Sequence, residues 1–340
     1  MKAELSTLCY LEKDNCYLML HRVKKEHDIN KDKWIGVGGH FKTDESPEEC
    51  VKREVLEETG LTLTDYRYRG LVTFVSGTGV TEYMSLFTAT GFEGELINCD
   101  EGTLEWVDKA DVWHLNLWEG DRIFFRLLDD DEPFFSLKLV YDGQSGLVEA
   151  TLNGKPMELF DILNEDGSKT GIIRERTVAH RDGSLHGTVH VWCMRQNNDG
   201  VELLLQKRAE DKDSYPGCYD ISSAGHIMAG DSDDITALRE VQEELGLMIT
   251  PDDLVRLGTI RTSSSNIFHH KPFNNNQLST VYLCTKAFND EDLNLQKEEL
   301  ESVKWMDLHQ LMEAVKKQTI KHCIHREELD MINDYLSKCK

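Results

Sequence analysis

Apolar and polar positions along this chain follow two periods, and the order in which the periods appear repeats. Each half opens with short apolar runs of strand character, residues 6–10 with 16–20 and residues 188–194 with 201–205. A helical stretch follows in each, ending where Gly60 and Gly246 offer left-handed caps. Strand segments come next, 71–75 and 280–283 among them, then an aromatic strand, 104–107 or 303–306, and a further helical pattern. Mixed strands enclosed by helices predict an α/β sandwich rather than a doubly wound sheet. The first half closes on a hairpin, residues 135–141 and 147–152, turning at 142–146. Asn153-Gly154-Lys155-Pro156 reads as a boundary, dividing the chain into domains 1–155 and 156–340.

The helical stretch carries an uncommon set of residues. Gly39, Glu45, Arg53, Glu54, Glu57, Glu58 and Gly60 recur at identical spacing as Gly225, Asp231, Arg239, Glu240, Glu243, Glu244 and Gly246. The one change is Asp231 for Glu45. Residues three and four apart share a helix face, so each carboxylate triplet converges. Three clustered carboxylates repel one another unless a cation sits among them, and hard oxygen donors suit Mg²⁺, with Mn²⁺ as the other candidate. Such an ion bridges phosphate oxygens and acidifies an attacking water. A solvated acidic helix face is the plainer reading, but the flanking glycines and arginine argue against it. Ser46-Pro47-Glu48-Glu49 supplies a serine N-cap, a first-turn proline and a capping-box glutamate. Gly39 and Gly225 permit backbone carbonyls to approach a metal. Arg53 with Glu45, and Arg239 with Asp231, are expected to hold the loop against the helix.

Length and charge narrow the picture. A chain of 340 residues fits two domains. No apolar run is long enough to span a membrane, and Glu12, Lys13 and Asp14 interrupt the start before a signal-peptide core can form. Nine cysteines without metal spacing read as reduced thiols, so a cytoplasmic location is expected. A formal net charge of −24 argues against binding polymeric nucleic acid. Small anionic substrates must enter locally, through metal and selected basic residues.

The repeated pattern matches the signature of the Nudix hydrolases, so the chain resembles a tandem member of that family. The resemblance implies two tandem α/β/α sandwich domains with mixed sheets. The first half resembles the MutT-like 8-oxo-dGTP diphosphatases, through Trp34-Ile35-Gly36-Val37-Gly38-Gly39 and Leu117-Trp118-Glu119-Gly120-Asp121. That likeness implies metal binding by Gly39, Glu54, Glu57 and Glu58, and catalytic work for Glu57 and Glu101. It also implies stacking of a purine on Trp118 and reading of its edge by Asp121. An ordinary core tryptophan is the alternative for Trp118, and Ile35 replaces a base-contacting asparagine.

The second half resembles the branch of type 1 isopentenyl-diphosphate isomerase and its hydrolase relatives. Phe160-Asp161-Ile162-Leu163-Asn164, Leu204-Leu205-Gln206-Lys207-Arg208-Ala209 and Asp220-Ile221-Ser222-Ser223-Ala224-Gly225-His226 carry the likeness. It implies a metal site on Gly225, Glu240, Glu243 and Glu244, catalytic roles for Glu243 and Glu299, and a diphosphate clamp of Arg208 and Lys212. His180, His186 and His226 echo the isomerase metal cluster, with ordinary hydrogen-bonding histidines as the alternative. Ala224 stands where the isomerase has its catalytic cysteine, and a methyl group moves no proton. The polar stretch 263–277, with His269 and His270, reads as a capping loop or an insertion. The expected activity is Mg²⁺-dependent cleavage of diphosphate linkages in small nucleotides and related diphosphates. For the second half, a ligand-sensing regulatory module and an isomerase are the alternatives.

Overall fold

The computed structural model describes residues 2–24, 28–198, 200–210, 215–268, 271–297 and 300–338. In the first half the elements run β1 (Lys2–Lys13), β2 (Cys16–His21), β3 (Trp34–Ile35), α1 (Pro47–Thr59), β4 (Leu61–Val75), β5 (Val80–Gly94), β6 (Thr103–Asp108), α2 (Glu119–Asp129), β7 (Phe135–Tyr141), β8 (Leu147–Leu152) and β9 (Lys155–Pro156). Then come β10 (Leu159–Leu163), β11 (Lys169–Glu175), α3 (Arg176–Asp182), β12 (His186–Asn197), β13 (Gly200–Arg208), β14 (Tyr219–Asp220), β15 (Ser223–His226), α4 (Asp233–Leu245), β16 (Leu254–Phe268), β17 (Lys271–Cys284), β18 (Leu300–Asp307), α5 (Leu308–Lys317) and α6 (Arg326–Lys338).

The fold is α/β, as expected, with two mixed sheets. In the first sheet β1 pairs in parallel with β5 and β4 with β7, while β4–β5 and β7–β8 are antiparallel. In the second, β12 pairs in parallel with β17 and antiparallel with β13 and β15. Val51 and Val55 of α1 pack with Cys9, Leu11, Leu18 and Leu20; Ala237 and Val241 of α4 pack with Val189 and Val191. The other face of the second sheet is covered by α5 and α6 through Leu311, Val315, Leu329 and Ile332.

The chain passes between two compact units more than once. One comprises Met1–Leu159 with Ile172–Val178, the other Phe160–Gly171 with Ala179–Lys340. The boundary expected at residues 153–156 is therefore displaced: Asn153 and Gly154 form a tight turn at φ 50° and 79°, and β9 pairs back onto β8. The returning segment is latched to α2 within the first unit. Arg174 makes two 2.8 Å bonds to Glu119, and Arg126 lies 3.8 Å from Glu175.

The polar stretch 263–277 is also corrected. It is neither a loop nor an insertion but an extension of β16 and β17, with Ser263 opposite Asn276 and Asn266 opposite Phe273. Its serines and asparagines give no two-residue hydrophobic period, and backbone pairing together with polar side-chain contacts carries it. His269 and His270 lie outside the described residues.

The box helices begin and end as their caps dictate. Ser46 accepts from the Glu49 N–H and Glu49 accepts from the Ser46 N–H, at 3.2 and 2.8 Å, and Gly60 ends the helix at φ 77°. In α4 Ser232 accepts from the Ile235 N–H at 3.4 Å, with no reciprocal carboxylate, and Gly246 ends the helix at φ 74°. Replacing Ser46 by Ala orphans one of these donors, and a loss of about 1 kcal/mol in urea unfolding is expected. An unchanged midpoint counts against the cap's role in holding α1.

Candidate functional site

In the first unit the carboxylates of α1 sit in three different environments. Glu57 is half exposed, near Lys42 at 3.1 Å and Arg53 at 3.2 Å. Glu54 is largely buried against Arg53 at 2.5 Å. Glu58 is buried and accepts from the Gly38 N–H at 2.9 Å. Burial, with Glu101 and Glu54 nearby, pushes the Glu58 carboxyl up to about 8. Glu101 approaches this cluster from the loop before β6 and pairs with Arg22, which also holds Asp28 at 2.7 Å. Arg53 grips Glu45 with two nitrogens, at 2.5 and 2.8 Å, and bonds the His40 carbonyl at 3.1 Å. That grip brings the Glu45 carboxyl down to about 2, and the loop is stapled as expected.

A divalent cation fits this arrangement. A Cβ built on Gly39 would meet the Glu54 carboxylate at 2.6 Å, so a side chain there would push Glu54 off the acidic face. Donors are hard oxygens, and burial together with the neighbouring carboxylates already drives Glu58 toward its proton.

The second unit repeats the geometry with one loss. Glu244 is buried and accepts from the Ala224 N–H at 3.2 Å; Glu243 is exposed; Glu240 pairs with Arg239 at 2.8 Å and abuts Gly225. The expected Arg239–Asp231 pair does not form. Arg239 instead reaches Glu240, Glu243 at 3.6 Å and the His226 carbonyl at 3.4 Å, because aspartate is one methylene too short. Arg208 lies 3.2 Å from Asp220, while Lys212 and Glu299 lie outside the described residues.

His180, His186 and His226 come together, with a ring nitrogen of each within 4.8 Å of the others. The polar end of the β16–β17 ribbon assembles them. Phe273 stacks on His180, Gln277 donates to His226 at 3.1 Å, and Asn274 and Asn276 bond the carbonyls of Arg181 and Gly183. Phe160 stacks on both His186 and His226. Three imidazoles suit a transition ion better than Mg²⁺.

Trp118 and Asp121 occupy the start of α2. Trp118 is 9% exposed, donates to Asn30 at 2.9 Å and carries the Lys33 ammonium 4.9 Å over its ring. Phe74 and Tyr141 meet it edge-on. Burial pushes the Asp121 carboxyl up to about 7, against the pull of Lys33 and Arg122. Lys33 and Asn30 were not singled out from the sequence. Their only signal was the polar run Asn30-Lys31-Asp32-Lys33 directly before Trp34-Ile35-Gly36.

A model of the NUDIX domain matches residues 4–128 and 185–326. Nudix hydrolase 3 of Arabidopsis thaliana is 42% identical over 151 residues, which are 44% of this chain and 19% of that protein. This chain thus spans only a small part of that relative. The oxidized purine nucleoside triphosphate hydrolase of Danio rerio is 31% identical over 131 residues, 38% of this chain and 83% of that protein. The isopentenyl-diphosphate Delta-isomerase of Corynebacterium diphtheriae is 28% identical over 162 residues, 47% of this chain and 84% of that protein. Among the described residues, no helix is long and apolar enough to cross a membrane. Matched once in each unit, with the same carboxylate geometry in both, the chain belongs to the Nudix family.

Proposed function

We propose that this chain is a Mg²⁺-dependent hydrolase with two sites, the first cleaving purine nucleoside triphosphates, oxidised ones among them, and the second an organic diphosphate. The supporting observation is the buried and exposed carboxylate set beside a glycine loop, built twice. Glu54, Glu57, Glu58 and the Gly39 carbonyl hold the ion in the first site; Glu240, Glu243, Glu244 and Gly225 do so in the second. When bound, the ion screens phosphate charge and acidifies the attacking water. Glu57, open to solvent, takes the water's proton, and Glu101, fixed by Arg22, orients that water. The water oxygen bonds to phosphorus, the bridging P–O bond breaks, and pyrophosphate leaves the monophosphate behind. Asp121, poised near neutrality, donates or accepts at the purine edge while Trp118 provides a face. A base stacking there must share that ring with Lys33.

Ala224 speaks against isomerisation by the second unit, as no thiol stands there to move a proton. The lost Arg239–Asp231 pair is the one observation that favours a regulatory role for this unit, since its loop is held more loosely.

Glu57→Gln with Glu58→Gln in the full chain is expected to lower purine triphosphate turnover about 10³-fold or more and spare the second activity; Glu243→Gln with Glu244→Gln does the reverse. Retained turnover removes the assignment. A second pair of substitutions that alters only the first site's kinetics makes the second unit a regulator.

Trp118→Ala is expected to lower kcat/KM for purine triphosphates about tenfold or more, as stacking is worth roughly 1–3 kcal/mol. Arg208→Ala raises KM at the second site alone. Equal effects of Trp118→Ala on both activities assign that ring to structure.

Asp121 also predicts a pH dependence of stability. Its folded pKa lies above the unfolded value of about 3.9, so its contribution is lost as pH rises from about 4 through about 7. Asp121→Asn is therefore expected to be more stable than the parent at pH 8, by up to roughly 4 kcal/mol, and equal to it near pH 4. A pH-independent difference in unfolding midpoint refutes this.

A further inference from the structure

The second unit holds a buried polar group that the hydrolysis outlined above does not use. His190 on β12 lies opposite Ala224 of β15, the residue whose N–H reaches Glu244. Side chains so paired share a sheet face and stand about 5 Å apart. The Nδ1 of His190 meets Glu328 of α6 at 2.8 Å, and the other Glu328 oxygen accepts from Trp192 at 2.6 Å. Glu328 is fully buried, whereas 13% of the His190 side chain remains exposed. The charge of Asp220 on β14 also acts on the ring, and Arg208 and Cys323 lie against Asp220 in turn.

The first unit supplies the contrast. Bridges between Ser6 and His40 and between Cys9 and Val37 place Leu8 where His190 stands, and Tyr10 where Trp192 stands. Asp121 is the third residue of α2 and buried, with its charge acting on Tyr10; Glu328 is the third residue of α6 and buried against Trp192. The carboxylate is thus common to both units. The difference lies in what it supports: an alkyl side chain stands nearby in the first, an imidazole in the second.

We propose that His190 is a specificity residue of the second site, presenting Nε2 to the organic group of a diphosphate, and that this group has a hydrogen-bonding edge, as in a nucleoside or sugar, rather than being a hydrocarbon. The inference rests on reading the second unit as a diphosphate site. A hydroxyl or heterocycle satisfies Nε2 in either charge state, donating to the neutral ring or accepting from the imidazolium. A prenyl chain packed there would strand it, and a desolvated polar group without a partner is costly. Burial works against the imidazolium, but Glu328 and Asp220 outweigh it and hold the His190 pKa above its ordinary value. Sites built to bond a substrate group reject analogues that lack it.

The test is calorimetric titration of the full chain with uridine diphosphate, isopentenyl diphosphate and inorganic pyrophosphate, using Ca²⁺ in place of Mg²⁺ to suppress turnover. Uridine diphosphate is expected to bind about 30-fold or more tightly than isopentenyl diphosphate. His190→Leu is expected to abolish that preference without changing pyrophosphate affinity. Equal or tighter binding of isopentenyl diphosphate by the parent, binding of neither, or equal weakening of all three ligands by His190→Leu overturns the assignment. If His190→Leu does not fold, Glu328→Gln keeps the acceptor for Trp192 and reverses the polarity at Nδ1. It is expected to shift the ratio of the two affinities, and an unshifted ratio overturns the proposal. Turnover of the parent with Mg²⁺ reports on hydrolysis alone: discrimination without cleavage refutes the proposed activity and leaves this assignment standing.

Discussion

A backbone N–H on a buried carboxylate, Gly38 on Glu58 and Ala224 on Glu244, is the contact around which each site is organised. It lets a glutamate leave water without leaving its last acceptor unpaired, which would otherwise be costly. The bond brings the strand end close to the helix, and a Cβ on Gly39 or Gly225 would there collide with the side chain of Glu54 or Glu240. The approach in turn requires the helix to keep its register, which the serine caps and left-handed glycines enforce. Even so, Glu58 retains its proton to about pH 8 because burial and neighbouring carboxylates oppose its charge. The protein therefore holds clustered carboxylates in an arrangement that disfavours their charge.

Away from this common centre the units diverge in what surrounds a second buried carboxylate, Asp121 in one and Glu328 in the other. The first surrounds a buried aspartate with aromatic rings and a lysine partly stripped of water. The second surrounds a buried glutamate with an indole and an imidazole. One scaffold thus builds two different polarities around the equivalent carboxylate.

Much of this was legible in the chain, for identifiable reasons. The box helices are strongly punctuated, and their carboxylates act at fixed helical spacing, so Glu54, Glu57, Glu58 and their counterparts needed no tertiary information to be grouped. Lys33 and Asn30 reach Trp118 from a different part of the fold, and no local period announces them. The same holds for Glu328, which meets His190 across 138 positions of sequence. The β16–β17 ribbon escaped notice because Ser263–Ser265 and Asn274–Asn276 pair through backbone and lack an apolar face. Asp231 looked interchangeable with Glu45 by charge, yet a single methylene decides whether an arginine can be held with two nitrogens.

The segment Ile172–Val178 gives the chain an order of assembly. Its Arg174 and Glu175 lie against Glu119 and Arg126 of the helix that bears Asp121. During synthesis, which proceeds from the N-terminus at about 5–20 residues per second, those braces emerge only after β10 of the following unit has been made. The carboxylate face of the first unit can form early, but the surroundings of Asp121 and Trp118 are finished last, with residues made after the next unit has begun. A gene cut at the apparent boundary would yield a first unit with its carboxylates in place and the helix that bears Asp121 unbraced.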